Sequence, residues 1–139
     1  MKAYPAHIWR EDNNSWSVEF PDLPGCFTSG SSFLDAKAKA EKALDIYLES
    51  LDSRSVDIPE PSLQRGESFH MISPSLKVGF AITLKQERNK QGLTQKEVAE
   101  RMGVKWSAYQ RIENPRKTNP TLSTIAKLQE VFGRPFFAL

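Results

Sequence analysis

Ser107, Gln110 and Arg111 have side-chain types and a spacing suited to reading another molecule's hydrogen-bonding groups. An arginine guanidinium bonds a guanine edge through two parallel N–H groups, and serine and glutamine bond other base edges in the major groove. On a helix, Ser107 and Arg111 fall one turn apart and share a face. Lys105, with Arg116, Lys117, Thr118 and Asn119 beyond, supplies donors of the kind that grip a phosphate backbone, and Gln95 one that can touch a phosphate or a base edge. Trp106 has three uses open to it: stacking on a sugar, touching a thymine methyl, or packing away from the nucleic acid. This set performs recognition and makes or breaks no bond.

Such readers need a rigid frame, and the surrounding spacing supplies one. Thr94 with Glu97 three residues later forms a capping box that starts a helix. Ala99 is small where two helices must cross closely. Gly103 stands where the turn calls for a positive φ. Val104, Tyr109 and Ile112 are apolar anchors, the last two on one face of a second helix. Leu93 to Asn114 therefore reads as a helix-turn-helix, a device that lays one helix in the major groove of DNA. Flanking helices are expected over 76–91, stopped by Gly92, and from Thr121 to Gly133, with Leu122, Ile125, Leu128 and Phe132 inward. The second helix runs from Thr94 to Met102 and the third from Lys105 or Trp106 to Glu113. The closing residues Phe136, Phe137 and Leu139 are too apolar for a free end, and are expected to form a seam between two copies.

The whole chain has 139 residues and a net charge of +2, but the charge is divided unevenly. Residues 1–66 carry 7 Lys/Arg and 11 Asp/Glu, whereas residues 67–139 carry 12 and 6. A basic half around a helix-turn-helix suits a polyanion, and an acidic half suits a basic partner. No apolar run approaches the roughly 20 residues that span a bilayer. The first residues lack the apolar stretch of a secretory signal. Cys26 is the only cysteine, which excludes an intrachain disulfide and a cysteine zinc cluster. A cytoplasmic protein without cofactor, metal or membrane contact is expected.

The first third alternates like sheet. Tyr4 to Glu11 reads as one strand, Glu11 to Ser15 as a turn, and Trp16, Val18 and Phe20 as the inward side of a second strand. Cys26 to Ser29 gives a third. Ser32 and Asp35 form a capping pair for a helix whose Ala36, Ala40, Ala43, Leu44, Tyr47 and Leu51 follow the helical period. A fourth short strand can lie near Val56 to Ile58. Phe69 to Ile72 reads either as another short strand or as a connector. The proline-containing stretch after Ile58 is the natural linker. The expected domains are 1–62, a linker over 63–74, and 75–139.

Two resemblances join these readings. From about Leu84 to Gly133 the chain resembles phage-repressor, or XRE-like, helix-turn-helix domains. The carrying residues are Gly92-Leu93-Thr94-Gln95, Ala99, Gly103-Val104, Ile112-Glu113-Asn114, Asn119-Pro120-Thr121-Leu122 and Phe132-Gly133. Lys105, Trp106 and Tyr109 depart from that pattern, standing where a capping Ser or Thr, a polar base-reading residue and a smaller Ile or Val are usual. The resemblance implies a pairing of Arg88 with Glu113 across the first and third helices. The first 62 residues resemble HicB-type antitoxins through Tyr4-Pro5-Ala6, Trp16 to Cys26, Thr28-Ser29-Gly30 before the Ala-rich helix, and Ile58 to Ser62.

The second resemblance implies a truncated RNase H-like fold without nuclease chemistry and a HicA-type toxin as partner. The fold class expected is α+β: a small β-β-β-α(β) domain followed by an all-α helix-turn-helix domain. RNase H catalysis needs converging carboxylates around two metals. Asp12 falls in a turn and Glu19 on the outward side of its strand, so with Asp22 and Asp35 they are not expected to converge. His7 and His70 lack metal-ligand spacing. No enzymatic activity is expected. The function expected is an antitoxin that blocks an RNA-cleaving toxin and represses its own operon as a homodimer or higher even oligomer on operator double-stranded DNA. Asp22, Glu41, Asp45, Glu49 and Asp52 are the acidic residues expected to attract the toxin. The rival reading is a repressor whose first domain senses a small molecule in a concave pocket.

Overall fold

The computed structural model describes residues 1–64 and 66–135. The chain divides into two compact units, Met1–Ser75 and Leu76–Leu139.

In the first unit, β1 (Tyr4–Arg10), β2 (Trp16–Glu19), β3 (Phe27–Gly30) and β4 (Phe69–Ile72) form an antiparallel sheet in the order β3-β2-β1-β4. The β1–β2 turn closes through Glu11 N–H to the Ser15 carbonyl at 2.8 Å. Helix α1 (Phe33–Ser53) starts at Ser32, whose side chain accepts the Asp35 N–H at 3.1 Å. The Asp35 carboxylate accepts the Ser31 N–H at 2.9 Å. Strand alternation turns Tyr4, Ala6, Ile8, Val18 and Ile72 to one face, where they are buried with Ala36, Ala40, Leu44, Leu48 and Leu51 of α1. Leu48 belongs to this stripe, while Ala43 and Tyr47 sit half-buried at its border. Helix and strand meet closely at Gly30. A Cβ there would lie 2.4 Å from the Ala36 backbone nitrogen, so any larger residue forces helix and strand to shift.

Two expectations for this unit are corrected. Residues 56–58 form no strand; the fourth strand is Phe69–Ile72, paired with β1 through Tyr4–Ile72 and His7–Phe69. The stretch read as linker therefore contains part of the sheet. Its proline-rich portion is tied down as well. The Tyr4 hydroxyl donates to the Pro59 carbonyl at 2.6 Å, and the Ser62 N–H donates to Asp22 at 2.8 Å. The physical reason is the second edge of β1, whose backbone groups need partners. Prolines at 59 and 61 remove donors from the nearer segment, so the later, proline-free segment pairs instead.

The second unit is helical: α2 (Leu76–Lys90), α3 (Gln95–Met102), α4 (Trp106–Ile112) and α5 (Leu122–Phe132). Phe80 and Leu84 of α2, Val98, Ala99 and Met102 of α3, Tyr109 of α4, and Leu128 and Phe132 of α5 form one core, with Leu93, Val104, Ile112, Ile125 and Val131 packed on its edge. Leu122 is an exception to the expected inward face of α5. It is 86% exposed, because the core does not reach the first turn of that helix. Phe136, Phe137 and Leu139, the expected seam between copies, lie outside the described residues.

Candidate nucleic-acid interface and partner surface

The frame around α3 and α4 is set by short-range chemistry. Thr94 accepts the Glu97 N–H at 3.1 Å and Glu97 accepts the Thr94 N–H at 3.2 Å, completing the capping box. Gly103 ends α3 at φ 73°, and its N–H caps carbonyls of the last turn. Ala99 is 2% exposed, as a close crossing requires.

Below α4, Arg88 grips Glu113. Its Nε donates at 2.9 Å to one carboxylate oxygen and a terminal nitrogen donates at 2.7 Å to the other; a third donor reaches the Leu93 carbonyl at 2.9 Å. The side chains are 12% and 2% exposed, so this is a sheltered fork between α2 and the end of α4. Glu113 holds the Arg88 guanidinium above its ordinary pKa by this bonding. Tyr109 lies beside the pair with its ring fully buried and its hydroxyl without a well-formed hydrogen bond. Burial, then the negative charge of Glu113, pushes that hydroxyl far above the ordinary tyrosine range.

With Tyr109 buried and Ile112 half-buried, α4 leaves Trp106, Ser107, Gln110 and Arg111 exposed. These are the residues the sequence singled out, and they lie together on the outward side of one helix. Lys105, the N-cap of α4, makes no side-chain cap bond and is exposed. Trp106 has a definite environment. Its indole N–H donates to Gln95 at 3.4 Å, and the Lys96 ammonium sits 4.5 Å from its ring centre. Gln95 in turn donates to Glu113 at 3.4 Å. Trp106 is thus folded toward the start of α3 while 46% of it remains exposed. Lys96 did not stand out in sequence; only its position over the Trp106 ring brings it into this group.

The loop after α4 is organised by Asn114, whose side chain accepts the Arg116 N–H at 2.9 Å and whose carbonyl accepts the Thr118 N–H at 2.9 Å. Arg116, Lys117 and Asn119 are exposed. Thr118 is not: its side chain is 1% exposed, with its hydroxyl buried and unpaired. Thr118 therefore leaves the set of surface donors, because the loop folded around Asn114 turns it inward.

In the first unit, Glu41, Asp45, Glu49 and Asp52 recur along α1 at spacings that bring them to one side, while Asp22 lies in the β2–β3 loop. Asp22 and Asp45 already serve internal bonds, accepting the Ser62 and Ser75 N–H groups at 2.8 Å each. Cys26 is buried and its thiol is pushed up to about 11 by that burial, which suppresses the thiolate a nucleophile needs. Among the described residues no helix is long and apolar enough to cross a membrane.

Comparison with known proteins follows the same division. Residues 4–68 match a family model described as HicB-like antitoxin of a bacterial toxin–antitoxin system, and residues 84–139 match a helix-turn-helix model. Antitoxin HicB 2 of Photorhabdus laumondii subsp. laumondii is 32% identical, covering 94% of this chain and 91% of its own length. Antitoxin HicB 1 of the same organism is 28% identical over 94% of this chain and 81% of its own. The crystal structure of the Burkholderia pseudomallei antitoxin HicB superimposes with a TM-score of 0.48 at 22% identity, covering 56% of this chain and 67% of that one. Identity at this level along nearly the full length, with both units matched, establishes that the chain belongs to the HicB antitoxins and carries a helix-turn-helix DNA-binding domain.

Proposed function

We propose that this protein neutralises a HicA-type, RNA-cleaving toxin by direct binding through its first unit and represses the operon encoding both by binding operator DNA through its second. The observation that carries the reading is the union, in one chain, of a HicB-type sheet unit with a helix-turn-helix whose reading face is exposed. In this reading Ser107, Gln110 and Arg111 meet base edges, while Gln95, Lys105, Arg116, Lys117 and Asn119 hold the backbone. Trp106 lies against the same groove, its ring braced by Lys96 and Gln95. Two copies on two half-sites roughly one helical turn apart supply the affinity that one such domain lacks. The acidic residues Asp22, Glu41, Asp45, Glu49 and Asp52 steer a cationic toxin toward the first unit.

Two measurements test this. Co-expression should restore growth to cells making the toxin from the adjoining gene. In binding assays on the DNA upstream of that gene pair, Arg111→Ala should lose about 1–3 kcal/mol of discrimination between operator and altered sites. Lys117→Ala should weaken binding to all sequences and reduce the salt slope by about one unit. Unchanged selectivity in Arg111→Ala would remove Arg111 as a reader, and continued toxicity on co-expression would refute neutralisation.

A further inference from the structure

We propose that the face of the sheet turned away from α1 is the docking surface for the toxin, and that it receives the lysine and arginine side chains with which an RNA-binding protein holds its substrate. The proposal rests on the functional reading above and narrows it to one face.

Strand alternation puts His7 and Trp9 of β1, Glu19 of β2, Phe27 of β3, and Phe69 and Met71 of β4 on this side. Three of the rings, Trp9, His7 and Phe69, form a continuous platform. His7 stacks on Trp9 with centroids 4.5 Å apart and on Phe69 at 5.1 Å. Phe27 is 72% exposed and Met71 54%, a cost in apolar exposure that a sheet covered by a partner recovers. Glu19 stands between Phe27 and His7 in the cross-strand register. At the rim, Glu11 accepts the Trp9 indole N–H and the Ser17 hydroxyl, each at 2.9 Å, which fixes the Trp9 ring in place. A shallow depression opens between Trp9, Ser17, Glu19, Phe27 and Ser29.

The composition of this face selects the partner. None of its outward strand positions holds a lysine or arginine. Aromatic faces attract cations through the ring quadrupole, and a neighbouring carboxylate pairs with the same cation. A four-stranded sheet with stacked rings is also how some domains bind single-stranded RNA, but those sites combine rings with cations that hold the phosphates. Here rings are combined with carboxylates. The surface thus presents to a cationic protein the two things an RNA presents, flat π-faces and negative charge. The outer side of α1 is a poorer fit, since Lys37, Lys39 and Lys42 interrupt its acidic residues and Asp22 and Asp45 are engaged internally. Those acids act at long range on encounter, while the sheet face holds the bound toxin.

The test uses the full-length protein and a catalytically inactivated product of the adjoining toxin gene. Phe27→Ala and Glu19→Lys should each raise the dissociation constant about tenfold or more, chiefly through faster dissociation. Phe27→Tyr, which keeps the ring, should stay within about twofold, as should Leu34→Ala, which removes an equally exposed apolar side chain from α1. Thermal unfolding and operator binding should be unchanged in all four, since Glu19, Phe27 and Leu34 are exposed. If wild type binds the toxin and the sheet variants bind it equally well, this surface is wrong and the antitoxin reading stands. If wild type does not bind the toxin, both fall. Binding of an oligouridine that Phe27→Ala abolishes would make this an RNA surface and overturn the proposal. So would loss of self-association in Phe27→Ala with toxin affinity intact, which would assign the face to a second copy.

Discussion

Arg88 illustrates how a sheltered residue behind the reading helix holds its frame together. Its fork to Glu113 and its bond to the Leu93 carbonyl tie the end of α2 to the end of α4 and the entry to α3. Arg88→Met strands the Glu113 carboxylate at 2% exposure, and breaking a buried pair in this way costs about 3–5 kcal/mol. Urea unfolding should show that loss, and the double variant Arg88→Met/Glu113→Leu should recover much of it because no charge is left unpaired. A loss below about 1 kcal/mol would mean the pair behaves as a surface bridge. Tyr4 gives a pH signature in the other unit. Burial first, then Glu60 and Asp22, raise its hydroxyl to about 12, from an ordinary value near 10. The folded state then holds a proton the unfolded state releases, so its contribution is intact below pH 10 and is lost as pH rises from about 10 to 12. Unfolding free energy should fall over that window, and Tyr4→Phe should flatten the fall while removing the bond to Pro59. An identical slope in wild type and variant would exclude Tyr4 as a source.

At the scale of elements, β4 decides where the first unit ends. A fragment stopping at Ser62 keeps the residues that carry the resemblance to HicB antitoxins but leaves one edge of β1 unpaired, and loses Ile72 from the core beneath α1. Removing a buried isoleucine alone costs about 2–5 kcal/mol. Residues 1–75 should therefore give a cooperative unfolding transition and well-dispersed amide resonances, whereas residues 1–62 should not. Equal stability of the two fragments would show β4 to be dispensable. The Gly30–α1 contact makes a second point of the same kind. Gly30→Ala drives a methyl into the Ala36 backbone, and overpacking of this type costs about 1–3 kcal/mol, seen as a lower Tm. No change in Tm would mean α1 can lift from the sheet at no cost.

For the whole molecule, the division of charge between residues 1–66 and 67–139 follows the division into units closely. Separate units permit separate tasks. Residues 1–75 should bind the toxin and leave operator DNA unbound; residues 76–139 should bind operator DNA and leave the toxin active. Titration of each fragment against both partners checks this, and toxin binding that requires the full chain would overturn it.

The helix-turn-helix is legible in the sequence nearly residue by residue. Its signals act within a few positions: Thr94 with Glu97, Gly103 at a turn, Ala99 at a crossing, Tyr109 and Ile112 on one face. Such signals survive without knowledge of anything distant. The first hairpin and α1 were legible for the same reason. The features that sequence left open are non-local. The pairing of Phe69–Ile72 with β1 joins segments separated by α1, and four residues of weak alternation cannot announce a partner that far away. The inward turn of Thr118 depends on a loop closing over the core, and the outward Leu122 on where that core ends. The aromatic face followed from register: His7, Trp9, Phe27 and Phe69 are scattered along the chain and become one surface only when three pairings bring their strands together.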